Sequence, residues 1–78
     1  MQLTRYEYRL LFLLIQHPEQ VFSRQQLMDH IWEHPEHSLE RTVDTHIKSL
    51  RQKLKQISAA YDPIMTHRGF GYSLKRIL

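Results

Sequence analysis

Arg41, Thr45, Lys48, Ser49 and Gln52 recur in RTVDTHIKSLRQKLKQI, residues 41–57, at steps of four, three, one and three. At about 100° per residue those five gather on one side of an α-helix. Opposite them Val43, Ile47, Leu50, Leu54 and Ile57 form a stripe in steps of four, three, four and three, the pattern of a buried helix face. Asp44 and Arg51 flank one edge of the stripe, and Thr42, His46 and Lys53 the other. The chemistry this outer face could do is polyanion recognition. Guanidinium and ammonium groups take phosphate oxygens, and short hydroxyl or amide side chains between them can reach base edges in a groove. The bland alternative is a solvated helix. Such a face more often alternates Glu with Lys at i, i+4, and here no glutamate follows Glu40.

Other reactive side chains offer less. His30, His34 and His37 stand at i, i+4 and i+7, a spacing that could set three imidazoles along one helix side as metal ligands. Pro35 interrupts that helix, and neither a cysteine nor a fixed carboxylate completes the set, so no metal and no cofactor is expected. Asp29 and His30 are adjacent, hence about 100° apart on a helix and poorly placed as a relay. Without a glycine-rich phosphate loop or a cysteine nucleophile, and with Ser23 better used as a helix cap, no enzyme is expected.

The elements that must position the basic face follow from local signals. Thr4-Arg5-Tyr6-Glu7 is a capping box that opens a first helix, which runs to about Gln16 and stops ahead of Pro18. Its run Leu10–Ile15, LLFLLI, is apolar all round and calls for packing partners on both sides. Two further helices cover one side. The chain starts at Met1 directly before this helix, so the second layer is expected to be missing from the sequence or to come from another molecule. Tyr8, Leu11, Phe12 and Ile15 are then left facing outward. Val21-Phe22 reads as a very short extended piece, and Ser23-Arg24-Gln25-Gln26 as a second capping box for a helix reaching about Trp32. Glu33–Leu39 is a polar connector containing Pro35, with Ser38 or Glu40 capping the long helix beyond it. Tyr61-Asp62-Pro63 turns the chain. Ile64–His67 and Tyr72–Leu74 then flank a loop with the chain's two glycines, Gly69 and Gly71, a hairpin signal with Arg68 at its tip.

Seventy-eight residues make one small domain. With 41% hydrophobic residues and no cysteine, its core rests on packing alone, which fits a reducing compartment. No signal segment or long apolar run points to secretion or a membrane span, and a cytoplasmic location is expected. A net charge of +3 is modest; its placement matters more, since four of the eleven basic residues fall between Lys48 and Lys55.

In this order, LTRYEYRLLFLL, VFSRQQLMDHIW, RTVDTHIKSLRQKL and THRGFGYSL resemble the DNA-binding effector domain of OmpR/PhoB-type response regulators. Within that family RTVDTHIK with DPI-x-THRG-x-GYSL looks most like the CreB-type branch. The resemblance implies an α+β winged helix-turn-helix: three helices with a C-terminal β-hairpin wing, the recognition helix at about 40–57 in the major groove and Arg68 toward the minor groove. It implies a two-component transcription factor that binds double-stranded DNA, as a tandem homodimer on direct repeats. Arg41, Thr42, Lys48 and Arg51 match phosphate or base contacts, and Thr45 and His46 the groove-facing and adjacent positions. Thr66, Arg68 and Tyr72 match the wing, and Trp32 a tryptophan that fixes the loop. Ser49 departs from the pattern, because many members carry a basic residue there. Residues 1–78 would be the effector domain, without the N-terminal sheet of the family and without the receiver through which a histidine kinase acts. The connector 33–39 corresponds to a segment that touches RNA polymerase. A winged helix that binds protein and not DNA is the rival reading, separated by salt-dependent binding to random duplex DNA.

Overall fold

A computed structural model describes residues 2–33, 40–60 and 62–75. Its elements are α1 (Arg5–Gln16), β1 (Phe22–Ser23), α2 (Arg24–Ile31), α3 (Glu40–Ile57), β2 (Ile64–His67) and β3 (Gly71–Leu74). Both capping boxes form as the sequence predicts. Thr4 Oγ1 accepts from the Glu7 N–H at 3.2 Å and Ser23 Oγ from the Gln26 N–H at 3.1 Å. In return the Thr4 N–H donates to Glu7 Oε1 and the Ser23 N–H to Gln26 Oε1. These side chains satisfy amide donors that the first helical turn leaves orphaned. Ser38, His34, His37, Pro35 and Tyr61 lie outside the described residues.

The three helices close on Leu10, Leu14, Leu27, Ile47 and Leu50, each essentially without solvent contact. Burying a side chain of this size stabilises by about 1.5–3 kcal/mol. Ile57, expected on the same stripe, is instead 64% exposed, because the last turn of α3 runs past the body of the domain. The outward face of α1 is as expected at Tyr8, Phe12 and Ile15, which are 59%, 50% and 52% exposed. Leu11 differs, being half-buried against the core.

The expected hairpin is part of a three-stranded antiparallel sheet in the order β1-β3-β2. Phe22 pairs with Tyr72 and Ser23 with Gly71, while β2 pairs with β3 from Ile64↔Leu74 to His67↔Gly71. The two glycines act differently. Gly69 takes φ 69°, the left-handed backbone of the turn that closes with Phe70 N–H donating to His67 O at 2.9 Å. Gly71 is needed for space. A Cβ there would lie 1.8 Å from Phe22 O, so β1 could not pair. Three helices with this wing make a winged helix-turn-helix.

Candidate nucleic-acid interface

The outer face of α3 carries Arg41, Thr45, Lys48, Gln52 and Lys55, all exposed. Thr42 is half-buried beside them. Arg41 and Lys48 form no ion pair with another described residue, so their charges face solvent. Thr45 Oγ1 donates to Arg41 O at 3.1 Å and keeps its lone pairs outward. Lys48, Gln52 and Lys55 share an open groove with Arg51 and Thr66, between α3 and the wing. Arg68 stands exposed at the wing turn beside exposed Phe70, in an adjoining cleft that Thr66 and Tyr72 also line, and pairs with no described residue. Asp62, an acidic residue just before the wing, pairs instead with Arg51, whose Nε lies 3.5 Å from Asp62 Oδ1. No ion pair joins Arg68 to Glu40 either.

Four expected site residues are turned inward. Ser49 is not on the far side of α3 from the apolar stripe. It is half-buried against α1, donating to Glu7 Oε2 at 2.5 Å. Arg51 donates to Ile64 O at 2.7 Å and Thr66 Oγ1 at 2.6 Å. Tyr72, 8% exposed, donates its hydroxyl to Asp44 Oδ1 at 2.5 Å, and Arg24 Nη1 approaches Asp44 Oδ2 at 3.2 Å. Burial, then the Asp44 hydrogen bond, push the Tyr72 phenol up to about 12. His46 is half-buried, its ring 5.4 Å from Tyr6 and 5.6 Å from Trp32. Trp32 in turn stacks on Tyr6 at 4.6 Å with 9° between the planes. Trp32 thereby packs the end of α2 against α1 and α3, while the loop it was expected to fix lies, beyond Glu33, outside the described residues.

Sequence reasoning took Glu7 only as a capping residue. It is 1% exposed and also receives Lys53 Nζ at 2.6 Å. Burial raises its pKa, but hydrogen bonds from Lys53, Ser49 and Thr4 outweigh that and bring it down to about 2. A polar residue at the third position of a helix otherwise apolar toward α3 was the signal available. Among the described residues no cluster of His, Asp and Glu could hold a metal ion. Among the described residues no helix is long and apolar enough to cross a membrane.

The family described as "Transcriptional regulatory protein, C terminal" matches residues 1–74. The chain belongs to that family. It is a C-terminal transcriptional-regulator domain of the OmpR/PhoB response-regulator type, CreB-like, and not an enzyme. It is 58% identical over 73 residues to the transcriptional regulatory protein CreB of Escherichia coli K12, covering 94% of this chain and 32% of CreB. The crystal structure of the response regulator AdeR DNA-binding domain, in complex with an intercistronic region, superposes with a TM-score of 0.87 at 37% identity. That match covers 100% of this chain and 80% of AdeR's. The response regulator DrrB of Thermotoga maritima, an OmpR/PhoB homologue, superposes at 0.81 with 29% identity, covering 96% of this chain and 34% of DrrB's. This transcriptional-regulator domain thus spans about a third of the length of the curated relatives it matches.

Proposed function

We propose that this domain binds double-stranded DNA sequence-specifically as the effector of a two-component transcriptional regulator. The observation that carries the reading is a set of exposed cations with no ion-pair partner among the described residues: Arg41 and Lys48 on α3, with Lys48 lining the groove between α3 and the wing, and Arg68 at the wing turn, lining an adjoining cleft that shares Asp44, Thr66 and Tyr72 with that groove. In this reading α3 enters the major groove and Arg68 the minor groove. Arg41, Thr42 and Lys48 hold phosphates and base edges, and Thr45 reads bases. Thr66 accepts from Arg51 and keeps its own proton to donate. His46, Ser49, Arg51 and Tyr72 hold the contacting elements in place.

The same reading makes residues 1–78 one effector unit of a longer regulator, cytoplasmic, with a receiver addressed by a histidine kinase. The share of the relatives' length left uncovered supports it. It further takes the protein to DNA as a tandem homodimer on direct repeats, with 33–39 toward RNA polymerase. Of that segment only Glu33 is described, ion-paired with Arg5.

Binding to duplexes drawn from a random-sequence pool tests the proposal. Lys48→Ala should weaken binding to every duplex and lower the salt slope by about 0.9 per lost phosphate contact. Thr45→Ala should change the preferred bases instead, at about 1–3 kcal/mol for the affected position. Unaltered affinity and preference in both variants, or no salt-dependent binding in the unmodified chain, would leave the protein-binding winged helix as the better reading.

A further inference from the structure

Both strands of the wing hairpin are tied to α3 by its own side chains. Arg51 clamps β2 through Ile64 O at 2.7 Å and Thr66 Oγ1 at 2.6 Å. Seven residues earlier, about two helical turns back along the same edge of α3, Asp44 holds β3 through the Tyr72 hydroxyl at 2.5 Å. Arg24 braces that carboxylate from the start of α2 at 3.2 Å. The two tethers meet the hairpin from opposite strands, since Thr66 and Tyr72 are a cross-strand pair. Two attachments on a paired strand ladder remove both sliding and rotation, where one would leave a pivot. Two residues beyond this anchored pair stands Arg68.

We propose that Asp44, Arg51 and Tyr72 act as a spacing gauge. They fix how far the wing arginine enters the duplex from the bases that α3 reads, and so select operators by the separation between core site and flank. The proposal rests on the DNA-binding reading above and adds to it a determinant that touches no base. Its physical basis is that a guanidinium gains most in a narrow A·T-rich minor groove, and a rigidly carried one gains it at a single separation. The tethering groups are positioning residues, and their removal should blur a distance preference more than it lowers affinity.

The test uses a duplex selected by the unmodified chain from a random-sequence pool, rebuilt with an A·T-rich flank at its selected separation or moved outward by one or two base pairs. The unmodified chain should lose about tenfold in affinity on displacement, the size of one specific contact. In Arg68→Ala that difference should vanish at every separation. In Tyr72→Phe with Arg51→Met, which keeps the buried ring and the aliphatic stem, the difference should fall to about twofold while circular dichroism still reports a folded domain. A full displacement penalty in this double variant overturns the gauge and leaves the DNA-binding reading standing. Should the double variant fail to fold, Tyr72→Phe alone serves, with a partial loss of the displacement penalty expected and no loss overturning the gauge. An unmodified chain that binds duplexes but is indifferent to the flank overturns both the gauge and the wing assignment, and one that binds no duplex overturns the function itself.

Discussion

At Glu7 the carboxylate that caps the start of α1 also receives Ser49 Oγ at 2.5 Å and Lys53 Nζ at 2.6 Å from α3. Removing one partner of a buried charge pair is costly because the other is left poorly solvated. Lys53 retains some solvent contact, with its side chain 27% exposed, which moderates the penalty. Glu7→Gln should therefore destabilise by about 2–3 kcal/mol. The pH dependence has a definite sign. A carboxylate held at about 2 against an ordinary 4.5 stabilises the fold fully above the ordinary value. That contribution, of order 3 kcal/mol, is lost as pH falls from near 5 toward 2. Denaturant midpoints measured down that range should converge for the unmodified chain and Glu7→Gln. Midpoints that stay parallel would show that the carboxylate is not charged and paired in the fold.

Helices were legible in the sequence because their signals are local: the caps at Thr4 and Ser23, the apolar period of α3 and the Pro18 stop all act within a few residues. What escaped depends on a neighbour. Ser49 sits far enough round α3 to be counted with the basic face, and only the arrival of Glu7 from α1 turns it inward. Arg51 looked like a phosphate contact until β2 supplied a carbonyl for it. The two-residue β1 has no alternation to detect, so its pairing with β3 was invisible. The outer face of α1 was legible as an anomaly. Tyr8 and Phe12 stack there at 6.0 Å in the open, with Ile15 exposed one turn on. An apolar face of this kind binds other apolar surfaces. The domain should enhance the fluorescence of a hydrophobic dye or self-associate at high concentration, and Phe12→Glu should suppress whichever occurs. A monomer that stays dye-silent when concentrated would count against an accessible face.

Across the whole molecule, α3 is the element to which everything else is fastened: α1 through Glu7, α2 through Arg24, and the wing through Arg51 and Tyr72. Elements joined in this way should open as one cooperative unit. Native-state hydrogen exchange should give the β3 amides the same opening free energy as the Leu50–Leu54 turn of α3, and a wing that exchanged at a much lower free energy would show that the fastenings are weak. The strand order adds a consequence for how the fold is completed. β3 is central in the sheet yet follows every other described element in sequence, and β1 waits for it from between α1 and α2. Phe22 and Ser23 therefore have no strand partner, and Asp44 and Arg51 no wing to hold, until Gly71–Leu74 joins the sheet, so the last described element of the chain is the one that completes both.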